Sequence, residues 1–284
     1  MDSCRYGVRN QALQKEKTMQ PGDILPLRFD IGLVTLSFVI SVLGAYVALM
    51  AAGRIRTIEG RVSGGYVAVA GIALGGVGTW SMHFIGMLAQ IIPLGVAYGI
   101  WMNFLSLLVA IGLAAAALWY VGSTRFSMVR CLTAGVLAGI GVAGMHYLGM
   151  ASMRMDAFFD WHAGLVGLSV VIAIVAATAS IWLAFNLTGE LQRIVAAVLM
   201  AVAVCGMHYT GAAAGAIICS TPRVFSGWAL DGSVLPYAVF LISVVTLIVM
   251  RIEMHRSSET VRTNVAHRVD HLIHSRQSQQ EWNN

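Results

Sequence analysis

Charge is scarce in this sequence: Asp, Glu, Lys and Arg make up 11% of the 284 residues, against 58% hydrophobic ones. A soluble core cannot bury that much apolar surface, and the mean hydropathy of +0.76 points to lipid as the solvent. The four cysteines, Cys4, Cys131, Cys205 and Cys219, have no CxxC spacing, which argues against zinc, redox or c-type haem motifs and against a disulfide framework. The chain has no Walker loop, kinase signature or nucleophile elbow. Its net charge of +5 comes from arginines in short loops and tails rather than from a folded basic face, so no nucleic-acid partner is expected.

What is abundant is long apolar runs. Seven can be marked, at Ile31 to Ala52, Tyr66 to Ile92, Ile100 to Val121, Val129 to Met150, Gly164 to Phe185, Ile194 to Ile218 and Val234 to Met250. Each approaches the roughly 20 residues that an α-helix needs to cross about 30 Å of hydrocarbon. None contains a charged residue and none alternates like a strand. The expectation is an all-α integral membrane protein with seven transmembrane helices. The missing carboxylates also argue against an intramembrane metal-dependent hydrolase, which needs such groups to activate water; Asp156 and Asp160 fall in a loop.

Loop charge sets the expected orientation. Arg54, Arg56, Arg61, Arg125, Arg130 and Arg193 lie in alternate loops, and Arg251, Arg256, Arg262, Arg268 and Arg276 in the tail, so these are expected in the cytoplasm. The other loops carry only Arg154 and Arg223. An outside N-terminus follows, in conflict with Arg5, Arg9, Lys15, Lys17 and Arg28, unless Met19 is the true start. The first residues have no signal-peptide core, so the first helix is expected to direct insertion.

Met82-His83, Met145-His146 and Met207-His208 recur with the histidines 63 and 62 residues apart, the length of two spans with their loops. Gly86, Gly149 and Gly211 follow three residues after each His, where small residues let helix backbones approach closely. Leu36-Ser37, Leu105-Ser106 and Leu168-Ser169 mark the preceding helices. The chain therefore reads as three helical-hairpin repeats plus one helix, with all three imidazoles in the outer half of the membrane.

A single membrane histidine reads equally well as a neutral, hydrogen-bonded group; three at one depth read as a functional site. Thioether and imidazole together favour copper. Met87 and Met150, four residues after their histidines, and Cys205, three before His208, share the histidine faces and are further candidate ligands; Ala212 replaces methionine in the third copy. Met153 and Met155 add sulfur at the outer end, where core packing is their more ordinary role. Tyr147 and Tyr209 read either as hydrogen-bond donors or as interfacial aromatics. A membrane haem protein with axial histidines, and a protein that transports or stores copper, remain competing readings.

At Met207-His208-Tyr209-Thr210 the sequence resembles the MHYT domain family, bacterial seven-helix membrane sensors; the other copies read Met-His-Tyr-Leu and Met-His-Phe-Ile. The resemblance covers about residues 29 to 254, between an N-terminal tail at 1–28 and a cytoplasmic tail at 255–284. It implies a multi-pass protein of the bacterial inner membrane and a signalling sensor for O2, CO or NO; a response to redox state is a further expectation for a copper site. It also implies a copper site at Met82, His83, Met145, His146, Met207 and His208. Family members often continue into cytoplasmic domains that make or degrade cyclic di-GMP. The 34 residues after Met250 are too few for a catalytic domain, so no enzymatic activity is expected and output falls to a cytoplasmic signalling partner. In the tail, Val261, Val265, Val269 and Leu272 form a stripe suited to docking or homodimerisation, and His267, His271 and His274 form a second that reads as a solvated face.

Overall fold

The computed structural model describes residues 20–56, 60–187, 189–232, 234 and 237–252. The basic N-terminal segment up to residue 19 and the tail stripes lie outside these. Six described helices are long and apolar enough to cross a membrane: α1 (Ile31–Ala52), α2 (Gly64–Ala89), α3 (Ile100–Gly122), α4 (Met128–Ala151), α5 (Ala163–Asn186) and α6 (Glu190–Ala213). A shorter apolar helix, α7 (Tyr237–Ile252), follows. The result is a mostly helical, multi-pass membrane protein.

Helix starts follow local chemistry. The Asp30 carboxylate accepts from Leu33 N at 2.9 Å to cap α1, and His162 Nδ1 accepts from Leu165 N at 3.3 Å to cap α5. The first turn of α6 holds Glu190, and Gln192 accepts from Gly189 N at 3.2 Å. This helix thus begins before the apolar run at Ile194, because its charged first turn is helical without being hydrophobic. It also ends earlier than expected. The apolar run continues to Ile218, but Gly215–Cys219 form a strand, where β-branched Ile217 and Ile218 suit an extended backbone.

The helices are inside out relative to a soluble bundle. Large apolar side chains such as Leu108, Leu137, Val175 and Leu199 are exposed, whereas Ser37, Ser41, Ser106, Ser169 and many alanines are buried. Lipid solvates the first set, and small residues let the helices close on each other. A Cβ on Gly75 would lie 2.3 Å from Ala110 O, and one on Gly139 would lie 2.4 Å from Ile174 Cα. Around the bundle α1 packs on α2 and α6, α3 on α2 and α4, and α5 on α4 and α6, so the six helices close a ring. Helix α7 lies outside it, its Leu247 and Met250 in the apolar cluster shared by α1 and α2, and its Ser243 hydroxyl donating to Ser81 Oγ at 2.7 Å.

The α2 backbone is π-helical over Ile72–Ser81. Thr79 and Ser81 hydroxyls donate to the Leu74 and Gly76 carbonyls five residues back, at 2.8 and 2.9 Å, and Ser41 of α1 donates to Gly78 O at 2.8 Å. These bonds occupy carbonyls along the widened turn.

The three loops at the histidine end pair with one another. Strands β1 (Ala97–Gly99), β2 (Met153–Arg154) and β5 (Ala229–Asp231) form an antiparallel sheet in the order β2-β1-β5, and β3 (Ala157–Trp161) pairs with β4 (Gly215–Cys219) from Ala157↔Cys219 to Trp161↔Gly215. Cys219 in this cap takes part in a disulfide, contrary to the expectation from the scattered cysteines; Cys131 and Cys205 are free. The arginine-rich loops lie at the opposite end.

A three-histidine candidate metal centre

Helices α2, α4 and α6 bring His83, His146 and His208 together, all fully buried. Their Nδ1 atoms form a near-equilateral triangle: 3.0 Å between His83 and His208, 3.1 Å between His146 and His83, and 3.3 Å between His208 and His146. The rings stand almost perpendicular to one another, at 78°, 86° and 85°.

Hydrogen bonding alone does not satisfy this triangle. A neutral imidazole carries its proton on one nitrogen, so each Nδ1 either donates or accepts. Among three corners of two kinds, at least one edge always joins like to like. If all three protons sit on Nε2, three lone pairs face one centre, which is the donor arrangement of a cation site. The centre lies roughly 1.8 Å from each corner, the mean side divided by √3, close to the ~2.0 Å of a metal–imidazole bond. The donor set therefore fits a borderline or soft ion such as copper or zinc.

The outer edges of the rings are held in a cycle. A Cβ on Gly149 would lie 2.3 Å from His83 Nε2, one on Gly211 2.4 Å from His146 Nε2, and one on Gly86 2.4 Å from His208 Nε2. Each ring thus occupies the space left by the glycine of the next helix in the cycle. The expectation assigned these glycines to backbone approach; the structure gives the space to imidazole. None of the three Nε2 atoms makes a well-formed hydrogen bond.

A second cycle runs outside the first. Tyr147 OH lies 2.6 Å from Ser169 Oγ, and Tyr209 OH 2.9 Å from Ser37 Oγ. Phe84 has no phenol at the corresponding position, and Trp80, one turn earlier, supplies Nε1–H to Ser106 Oγ at 2.9 Å instead. Each serine commits its own proton to the carbonyl three residues back, Val34, Asn103 or Val166, at 2.7 to 2.8 Å. The serine oxygen is therefore the acceptor, and the aromatic residue donates. Sequence reading found the Leu-Ser pairs as markers of the period but missed this role. Their shared spacing with Tyr147 and Tyr209 was the available signal, and Trp80 had none.

The methionines are placed differently. Met82, Met145 and Met207 are buried, but Met82 packs with Val204 and Cys205, and Met207 with Ala143 and Ala173, in separate apolar clusters. Met87 and Met150 join Met153, Met155, Phe84 and Tyr98 in one cluster between the triad and the strand cap. Burial there pushes the Tyr98 phenol pKa up.

The family model described as a bacterial signalling protein N-terminal repeat, MHYT, matches residues 76–134 and 139–197. Over 227 residues the chain is 37% identical to the bifunctional diguanylate cyclase/cyclic di-GMP phosphodiesterase MucR of Pseudomonas aeruginosa, covering 78% of this chain and 33% of that protein. It is 33% identical over 196 residues to the cyclic di-GMP phosphodiesterase NbdA of the same species, covering 67% and 24%. The signaling protein YkoW of Bacillus subtilis is 28% identical over 194 residues, covering 64% and 24%. The chain thus spans a third or less of the length of these relatives. No solved structure matches. With the repeat found twice and its relatives among signalling proteins, the chain belongs to the MHYT family.

Proposed function

We propose that this chain is a membrane signalling sensor whose His83, His146 and His208 hold copper through Nδ1, with Met82, Met145 and Met207 as neighbouring soft side chains. The converging Nδ1 triangle carries this reading. Bound copper would supply a centre that takes a diatomic gas (O2, CO or NO) or changes oxidation state. The residues of this chain fix the ring positions, exclude water and keep the three lone pairs aimed at one point. Sides of 3.0 to 3.3 Å leave no gap for a porphyrin between two of the nitrogens, which favours copper over haem.

In this reading the chain has seven spans, built as three hairpins plus α7, in the cytoplasmic membrane. The triad lies near the outer face, the N-terminus outside and the C-terminus in the cytoplasm. A cytoplasmic signalling partner receives the output, with cyclic di-GMP turnover as the class of reaction named in the relatives.

Metal analysis of purified protein tests the site. Wild type is expected to retain about one copper per chain, given one triad of ligands, and each of His83→Ala, His146→Ala and His208→Ala to lose it. Copper content unchanged in those variants overturns the metal site. Copper handling is separated from sensing in cells lacking the gene: altered copper accumulation marks transport or storage, and altered second-messenger levels at unchanged copper mark a sensor.

A further inference from the structure

Below the triad, on the side away from the strand cap, the bundle encloses a narrow cavity of about 40 Å³. Its walls are small residues of α2, α3, α4 and α5, among them Gly75, Ala110, Ala138, Gly141 and Ala173. At its upper end lie Thr79, Val142 and Val204, each four residues before a triad histidine, together with Met207, which adjoins His208. The cavity therefore reaches to within one helical turn of the imidazoles, about 5–6 Å of rise.

The lining decides what can occupy the space. Thr79 and Ser180 are its hydroxyl-bearing residues, and both protons are committed, to Leu74 O at 2.8 Å and Ala176 O at 2.7 Å. A buried water is held by two to four polar partners; these two hydroxyls can accept from it but not donate to it, and the other lining side chains are apolar. The volume exceeds the roughly 10–15 Å³ that one water needs, and cavities with apolar walls stay dry and take apolar guests such as xenon. One wall of the cavity reaches the lipid-facing surface. Leu113 of α3 lines the cavity and is also 38% exposed on the lipid-facing surface.

We infer that this cavity binds a small apolar molecule, of the size of dioxygen or xenon, that enters from the hydrocarbon past Leu113. Occupancy rests on the cavity alone; its use as a waiting site for a sensed gas rests on the sensor reading above. A gas dissolved in lipid then reaches the triad from within the bilayer, whereas an ion, excluded from hydrocarbon, does not share this route.

Xenon is the probe. Protein labelled at alanine methyls and held in lipid nanodiscs is titrated with dissolved xenon and followed by NMR. Saturable shifts are expected at Ala110, Ala138 and Ala173, and their loss is expected in Ala177→Leu, which fills the cavity from a half-buried wall position. Ala114→Leu fills it from the facing helix and serves if the first variant does not fold. Wall methyls that do not shift in the wild type, or that shift equally in a folded filled variant, overturn the proposal. Copper measured in the same samples separates the two readings. Saturable xenon binding in copper-free protein leaves the cavity site standing while the metal site falls, and bound copper without a saturable shift overturns the cavity site alone.

Discussion

The helix that carries His83 and the helices that carry His146 and His208 deliver the same ring to the same place by different means. In α4 and α6 the residue after the histidine is a tyrosine whose hydroxyl donates to a serine on a neighbouring odd-numbered helix. In α2 that residue is Phe84, and the donor has moved one turn back to Trp80. The α2 backbone is also π-helical just before the motif, and α7 is fastened to it through Ser243 and Ser81. The positions of the imidazoles are thus under tighter constraint than the residues that brace them. The brace needs one donor per serine, and its source is exchangeable.

That comparison can be broken or sharpened by substitution. The largest effect is expected from removing any one histidine, which takes a corner from the triangle and, on the copper reading proposed above, abolishes metal retention, as measured by metal analysis. Next come Gly86→Ala, Gly149→Ala and Gly211→Ala. Each places a Cβ 2.3 to 2.4 Å from an imidazole nitrogen, so the ring must move. Overpacking of this kind costs about 1–3 kcal/mol, and thermal unfolding in detergent should show similar losses at all three if the copies are equivalent at the ring. One variant close to wild type would break that equivalence.

The brace itself is tested by exchange. Phe84→Tyr buries a hydroxyl beside a serine already engaged by Trp80, and should destabilise by about 1–3 kcal/mol. Trp80→Phe removes the donor. The double variant Trp80→Phe with Phe84→Tyr rebuilds the arrangement of the other copies and should be more stable than the sum of the single changes predicts. Strict additivity in that cycle would show that the two aromatics do not share one role. Tyr147→Phe and Tyr209→Phe should each cost about 1 kcal/mol by thermal unfolding. The smallest effect is expected for Ser243→Ala, about 0.5 kcal/mol, read as weaker packing of α7 with the triad unchanged.

Much of this was legible in the sequence because lipid imposes a simple rule: helix-length apolar runs become helices. The first helix, Ile31–Ala52, coincides with the apolar run marked there. The rule failed where apolar character and helicity part company, at the charged first turn of α6 and at the apolar strand Gly215–Cys219. The periodic histidines announced a shared depth, and the glycines three residues later announced close packing. Convergence was not readable, because it depends on which helices are neighbours. Nor was Trp80, whose role exists only because Phe84 lacks a hydroxyl. The strand cap escaped because short strands paired across three separate loops leave no local period.

The serine braces also determine how many copies of the motif make a whole. Ser106 joins α3 to α2, Ser169 joins α5 to α4, and Ser37 returns from α1 to Tyr209 on α6, so the first helix of the ring is the clasp for the last. A chain with two copies would end with an unmatched donor at one edge and an unmatched acceptor at the other, and with two corners of a triangle. Such a module cannot lengthen or shorten one unit at a time as a solenoid does. It is complete at three, and its first and sixth helices meet side by side at the seam.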